Sequence, residues 1–279
     1  MCDIILENFK NIFNLIKLNG GIIMIIDMHV HTTNSDGMLN VQEVLEKAND
    51  KNLNVLSITD HDSIIDLSKE VENFDFDFIQ GIEFTTDYKR VHILGYRIKD
   101  IARLNKVALK YRNKAEAKVL EVINLLLHQG YNFEVGDVYR FSKNNRITIN
   151  SICRVLISKN IFNSYEEVKE KTGIGKVIIP RISIEEAIKE IKSCGGKAIL
   201  AHPYFSKFKE ENIEKEIKKI MEYGLDGIEA YYMRSKPYQI ENMISFAKKN
   251  NLLKTVGTDF HGYGDKNRLG VEIDYNLEL

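Results

Sequence analysis

Residues 25–37 read IIDMHVHTTNSDG, an apolar run that stops at two histidines, His29 and His31, and passes into a polar segment ending at Asp36 and Gly37. The run has the character of a buried strand. In an extended chain residues i and i+2 share a face, so both imidazoles can reach one ion. Asp36-Gly37 is a turn signal that brings a carboxylate back towards the strand end. A buried strand closing on metal-binding side chains is thus the unit from which the rest of the chain is read.

That unit recurs. LSITDHD places His61 between Asp60 and Asp62, AILAHP ends at His202, and VGTDFHG repeats the i, i+2 spacing with Asp259 and His261. FIQGIEFTT holds Glu83 in an otherwise apolar strand, where an unpaired carboxylate is costly to bury and metal ligation removes the cost. RVHILGY carries His92 near the start of its run, the exception to the pattern. Imidazole with carboxylate suits Zn, Fe or Mn, and a set this rich exceeds the four ligands of one structural zinc. It calls for more than one ion. Asp60 and Asp62 are better placed to orient the His61 imidazole than to bind an ion themselves. Glu229, at the strand end in DGIEAYY, is read in the same supporting role. Of the chain's 7 histidines only His128 matches no motif; it lies in a helical pattern and is read as structural.

Between these motifs the chain alternates. Strand-like runs at 22–28, 53–59, 77–84, 90–97, 196–201, 225–231 and 253–258 are separated by helical patterns such as Val41–Lys51, Ile184–Lys192, Ile213–Tyr223 and Tyr238–Lys249. The alternation predicts an α/β fold with a parallel sheet, and seven such strands can close into a barrel. Chemistry then gathers at the strand C-terminal ends. Residues 101–181 break the rhythm. They open with a long helical segment, Leu104–Gln129, stopped by Gly130, and are read as a helical insertion over the barrel mouth, a substrate lid. The barrel is discontinuous, 24–100 with 182–279. Residues 1–23 precede a natural start at Met24 and are read as an N-terminal extension added by an upstream start codon, outside the native barrel.

At 279 residues and 44% hydrophobic, the chain can bury a full core, which excludes a disordered protein. It shows neither an apolar run long enough to span a bilayer nor a signal peptide, so a cytoplasmic protein without a membrane partner is expected. The 3 cysteines, Cys2, Cys153 and Cys194, support neither a disulfide framework nor a thiolate zinc site. The net charge of −1 conceals a split: residues 101–190 carry 16 Lys and Arg against 10 Asp and Glu, a net of +6 that leaves −7 for the rest. A basic segment beside a metal-binding body points to an anionic substrate such as a phosphate ester.

In order and spacing, MHVHTTNSDG, SITDHD, GIEF, VHILGY, AHP and TDFHG resemble the signatures of the PHP family, named for polymerase and histidinol phosphatase domains. The resemblance covers about Met24 to Val271. It implies a distorted (β/α)7 barrel holding three divalent ions, with Mn2+ expected ahead of Fe2+ or Zn2+. One ion would take His29, His31, Glu83 and Asp259; a second would share Glu83 and add His92 and His202; a third would take Asp36, His61 and His261. Such a centre hydrolyses a phosphate ester by a metal-activated hydroxide, with Glu83, His202 and Asp259 at the reacting centre. The leaving oxygen is protonated by a water on the metal, by Asp259 or by a histidine.

A helical insertion at this point resembles the branch that removes the 3′ phosphate of nucleoside 3′,5′-bisphosphates or trims short RNA from its 5′ end. A small phosphorylated substrate, nucleotide or short RNA, is then expected, with no obligate protein partner. Arg112, Arg146, Arg154, Lys176 and Arg181 become candidate phosphate contacts. Where that branch often shows Gly-Arg-Pro-His before an Ala-Arg pair, TINSICR matches only at Arg154. The alternatives are a histidinol phosphatase and a non-catalytic, metal-stabilised nucleic-acid-binding or regulatory module.

Overall fold

A computed structural model describes residues 23–274 apart from 143 and 145. The expected extension lies outside the described residues but for Ile23, which opens the first strand. The elements are β1 (Ile23–Val30), α1 (Val41–Asp50), β2 (Val55–Ile58), β3 (Asp77–Phe78), β4 (Gly81–Thr85), β5 (His92–Tyr96), α2 (Ile101–His128), α3 (Val135–Arg140), α4 (Ile149–Ser158), α5 (Tyr165–Thr172), α6 (Ile184–Ser193), β6 (Lys197–Leu200), α7 (Ile213–Met221), β7 (Gly227–Tyr232), α8 (Pro237–Lys249), β8 (Leu253–Gly257) and β9 (Val271–Asp274). Helices form where a cap and an apolar stripe coincide. Asn40 and Glu43 make a capping box at the start of α1, which buries Val44, Leu45 and Ala48. Ser183 caps α6, whose Ile184, Ala187, Ile188 and Ile191 face inward.

The strands form two sheets, in order β3-β2-β1-β9 and β4-β5-β6-β7-β8. Two isolated parallel bridges, His61↔Glu83 and Val30↔Phe260, join them. β1, β2, β4, β5, β6, β7 and β8 thereby close into a distorted seven-stranded ring, with β3 and β9 outside it. Each seam carries two backbone hydrogen bonds: Asp62 N to Glu83 O (2.9 Å) with Glu83 N to Asp60 O (3.2 Å), and His31 N to Phe260 O (2.9 Å) with Phe260 N to His29 O (3.2 Å).

The expected parallel pairing holds for β1 with β2 and for β6, β7 and β8, but the sheets are mixed. β5 runs antiparallel to both β4 and β6, and β9 runs antiparallel to β1. Residues 86–91 alone connect β4 to β5, which is too short for a parallel crossover. The reversal accounts for His92: the start of β5 pairs with Thr85 at the end of β4, so His92 lies at the end of the barrel where the other motifs end. The run 77–84, read as one strand, is two. β3 pairs with β2, while Gly81 opens β4 in the other sheet. A Cβ at Gly81 would stand 2.5 Å from Ser57 Oγ, so only glycine allows this close approach.

The pairing of β1 with β2 shifts register between Asp27 and Val30. Before the shift Met24, Ile26 and Met28 pack with Leu94, Tyr96, Ile199 and Val256 in the interior; after it Val30 packs outward with Val44 and Leu45 of α1. The irregularity exchanges the two faces and turns His29 and His31 inward. β7 has a similar shift between Glu229 and Tyr231.

The described residues form two compact units, one running to Lys106 and resuming at Ile182, the other Val107–Arg181. The second has its own core, including Ile123, Leu126, Phe133, Ile152, Leu156 and Val168. Cys153 and Cys194 are buried free thiols, and Cys2 lies outside the described residues. Among the described residues no helix is long and apolar enough to cross a membrane.

Candidate metal centre

Glu83 is the hub. Its carboxylate is fully buried in β4 and lies 3.2 Å from His29 Nε2, 3.2 Å from His31 Nε2, 3.1 Å from His61 Nδ1, 2.8 Å from His92 Nδ1 and 3.3 Å from His202 Nε2. Around it four overlapping sets of donors lie close enough to share an ion: His31, Asp36, His61 and His261; His29, Glu83 and His202; His29, His31 and Asp259; His61, Glu83 and His92. All nine residues expected as ligands fall within these sets. His92 and His202, expected together on one ion, fall in separate sets that each include Glu83.

The donors come from the ends of β1, β2, β4, β6 and β8 and the start of β5, and at two of them, His202 and Asp259, and at Asp62 beside His61, the backbone is left-handed. Asp62, His202 and Asp259 adopt positive φ of 47°, 27° and 56°, a region costly for residues with a Cβ and concentrated at functional sites. Four buried atoms, His29 Nε2, His31 Nε2, Glu83 Oε2 and His202 Nδ1, have no hydrogen-bond partner. Buried polar atoms are seldom left so. The nitrogens His29 Nε2 and His31 Nε2 converge on Glu83 Oε2, and such a grouping of imidazole and carboxylate is what a divalent cation satisfies; the residues fit such an ion.

The electrostatics agree. Burial pushes the Glu83 carboxyl up, but His61, His29 and His92 hold it well below the usual carboxylate range. Asp259 is likewise held low against burial by His31, His29 and Lys266, as is Asp36 by His261, His61 and His31. Against burial, Asp259 and Glu83 lift His31 to about 9. Burial keeps His61 well below its ordinary value, aided by His31. Three ionised carboxylates thus face six imidazoles, among which bound protons balance them, and a cation bound here would take the place of those protons.

Behind the donors lies a layer that aims them. Glu229 Oε1 meets His29 Nδ1 at 2.9 Å and its Oε2 accepts from His202 N at 2.7 Å, which leaves His29 Nε2 for the centre. Asp60 accepts from Thr32 N (2.7 Å), Thr32 Oγ1 (2.6 Å) and Ser35 Oγ (2.5 Å), and Ser35 Oγ lies 3.4 Å from His31 Nδ1. Asp62 accepts from Thr85 N at 3.0 Å.

The family model for the PHP domain matches residues 27–174, more than half of the chain. The chain belongs to the PHP domain family. Among similar proteins, this PHP chain is 28% identical to a 5′-3′ exoribonuclease of Haemophilus influenzae, over 91% of its length and 94% of the relative's. It is 26% identical to a phosphoribosyl 1,2-cyclic phosphate 1,2-diphosphodiesterase of Eggerthella lenta, covering 86% and 95%. It is 25% identical to a 3′,5′-nucleoside bisphosphate phosphatase of Chromobacterium violaceum, covering 87% and 89%. A solved structure of an amidohydrolase from Chromobacterium violaceum with bound sulfate superimposes with a TM-score of 0.73 at 25% identity, over 89% of this chain and 91% of that one.

Within the PHP barrel several residues that the sequence reading gave no role brace the site. Asp27, fully buried, accepts from Thr258 Oγ1 (2.6 Å), Gly270 N (2.9 Å), Thr258 N (3.1 Å) and His29 N (3.2 Å). It fastens β1 at its irregularity to the segment carrying Asp259. Burial outweighs these bonds and pushes its carboxyl up to about 6. Tyr232 Oη donates to Asp259 Oδ2 at 3.0 Å, and Lys266 Nζ lies 2.5 Å from the same oxygen. Asp27 carries the signal used for Glu83, a carboxylate in an apolar strand; Tyr232 carries none. The candidate phosphate contacts Arg112, Arg146, Arg154 and Lys176 lie in the second unit, which Arg181 closes. Arg154 is engaged there, its Nε with Tyr165 Oη at 3.1 Å and its Nη1 with Phe141 O at 3.4 Å. His128 is the exposed last residue of α2.

Proposed function

We propose that this PHP protein is a metal-dependent phosphoesterase acting on a nucleotide, removing the 3′ phosphate of a nucleoside 3′,5′-bisphosphate or trimming short 5′-phosphorylated RNA. The observation that carries the reading is the convergence of five imidazoles on Glu83, where four buried atoms have no hydrogen-bond partner among the described residues. The residues that would hold ions are His29, His31, Asp36, His61, Glu83, His92, His202, Asp259 and His261, enough for three divalent ions, with Mn2+ the expected metal. When bound, such ions activate water near neutral pH and neutralise charge on a phosphoryl group. The protein's part is to hold the donors fixed. Glu229 sets the His29 tautomer, Asp60 through Ser35 steadies His31, and Tyr232 and Lys266 hold Asp259. The relatives support the substrate class, since all three names describe hydrolysis at a phosphate of a nucleotide, an RNA or a phosphoribosyl compound. Residues 101–181 are assigned as the substrate-recognition element on the net charge of +6 over 101–190, and the protein as cytoplasmic.

The test is phosphate release by Mn2+-loaded protein from adenosine 3′,5′-bisphosphate, with 5′-phosphorylated RNA, a cyclic phosphodiester and histidinol phosphate alongside. Turnover of the bisphosphate or RNA is expected, and His29→Ala should abolish it in a folded protein. Preference for histidinol phosphate, or undiminished turnover by His29→Ala, would overturn the proposal.

A further inference from the structure

Beside the metal centre, within the same unit, the end of β7 builds a small cationic fixture that the proposed chemistry leaves unused. The Arg234 guanidinium lies over the Phe205 ring, 5.3 Å from its centroid, within cation–π distance. Phe205 belongs to the short 3-10 turn Pro203–Phe205 directly after His202, and its ring packs edge-on against Tyr232 at 4.8 Å. Arg234 Nη1 reaches Tyr232 Oη at 3.5 Å, and Tyr232 Oη in turn donates to Asp259 Oδ2 at 3.0 Å. One hydroxyl therefore separates the guanidinium from a residue of the metal centre. Its Nη2 is paired at 2.8 Å with Asp265 Oδ2, a side chain 69% exposed. The guanidinium thus already holds a carboxylate, and holds it at the surface, where an ion pair is weak and readily exchanged. Arginine presents paired donors that match a phosphate better than any other side chain.

We infer that Arg234, seated on Phe205 and Tyr232, binds the phosphate that is not hydrolysed in a substrate carrying two, displacing Asp265 as it does so. The phosphoryl group undergoing reaction has to sit among the donors around Glu83. Arg234 lies beyond Tyr232 from them and suits a second anion of the same molecule. The assignment rests on the phosphoesterase reading and adds to it a residue that selects bisphosphates over monophosphates.

Mn2+-loaded wild type, Arg234→Ala, Arg234→Lys and Asp265→Ala are compared in two measurements. The first is the ratio of kcat/KM for adenosine 3′,5′-bisphosphate to that for adenosine 3′-monophosphate. The second is calorimetric binding of adenosine 5′-monophosphate, which keeps the phosphate assigned to Arg234. Arg234→Ala should lower the ratio and weaken binding by about 10- to 100-fold, the size of a charge-assisted contact. Arg234→Lys should recover part of both. Asp265→Ala should tighten binding up to about fivefold by removing the competing carboxylate. Equal losses on both substrates with binding unaltered, or no change in either measurement, would overturn the assignment. Should wild type hydrolyse neither ester while Arg234→Ala still weakens binding, the phosphoesterase reading fails and the anion site stands. Turnover by wild type that Arg234→Ala leaves unchanged, in rate ratio and in binding, removes the anion site and keeps the phosphoesterase.

Discussion

A buried carboxylate needs donors, and Asp27 and Glu229 each solve that need in a way that fixes a neighbour. Asp27 receives four hydrogen bonds on two oxygens. Asparagine would turn an amide NH2 against donors that need an acceptor, so Asp27→Asn should cost about 2–4 kcal/mol of stability. Urea unfolding measures it, and a midpoint equal to that of wild type would show that Asp27 does not brace β1. Glu229→Gln keeps the shape but cannot accept well from both His29 Nδ1 and His202 N. Mn2+ affinity should fall about 10- to 100-fold with the fold intact; calorimetry that finds equal affinity would remove Glu229 from the machinery. Much at this scale is legible from types and spacing: a carboxylate in an apolar strand, and histidines two apart at a strand end. Tyr232 and Arg234 are not, because aromatic and basic residues at the end of a strand are common and only the fold brings Tyr232 to Asp259 and Arg234 to Tyr232.

Among the elements, helices read true because caps and apolar spacing are local signals. Strand direction is not local. Nothing in RVHILGY states that β5 runs against its neighbours; the short link before it is the available clue. β9 escapes notice because four residues in an edge strand carry little pattern. The face exchange in β1 is equally hidden, since an unbroken i, i+2 alternation would have turned His29 away from the side that Met28 faces. The break at Gly81 is testable. Gly81→Ala would place a methyl 2.5 Å from Ser57 Oγ and 2.7 Å from Thr59 Cγ2. Such overpacking costs about 1–3 kcal/mol, a drop in Tm of roughly 2–10 °C for a chain of this size. It should also lower metal affinity through Glu83, two residues on. An unchanged Tm would mean that β2 yields without cost.

For the molecule as a whole, the ions and the barrel closure share residues. His61 and Glu83 form one seam, and the other runs between Val30 and Phe260, among His29, His31, Asp259 and His261. Metal should therefore stabilise the entire barrel, by about 4 kcal/mol at a thousand times the dissociation constant. Thermal unfolding with and without Mn2+ should show a rise in Tm for wild type that is lost in His29→Ala. A wild type indifferent to Mn2+ and to chelator would contradict a metal centre at the seams.

The span of those seams also governs when the centre can exist. Its donors run from residue 29 to residue 261, and β1 finishes its edge only when Val271–Asp274 reaches it. Contacts so distant along the chain are slow to form, since most of the loop-closure entropy is lost before they stabilise anything. A growing polypeptide would carry His29 and His31 well before His202, Asp259 and His261 arrive to complete their sets, whereas His61, Glu83 and His92 form a set that is present early. Assembly of the full centre thereby waits for the segment that carries Asp259 and His261, while the pair His29 and His31 at the other end of the chain is the last to find its complete set of partners.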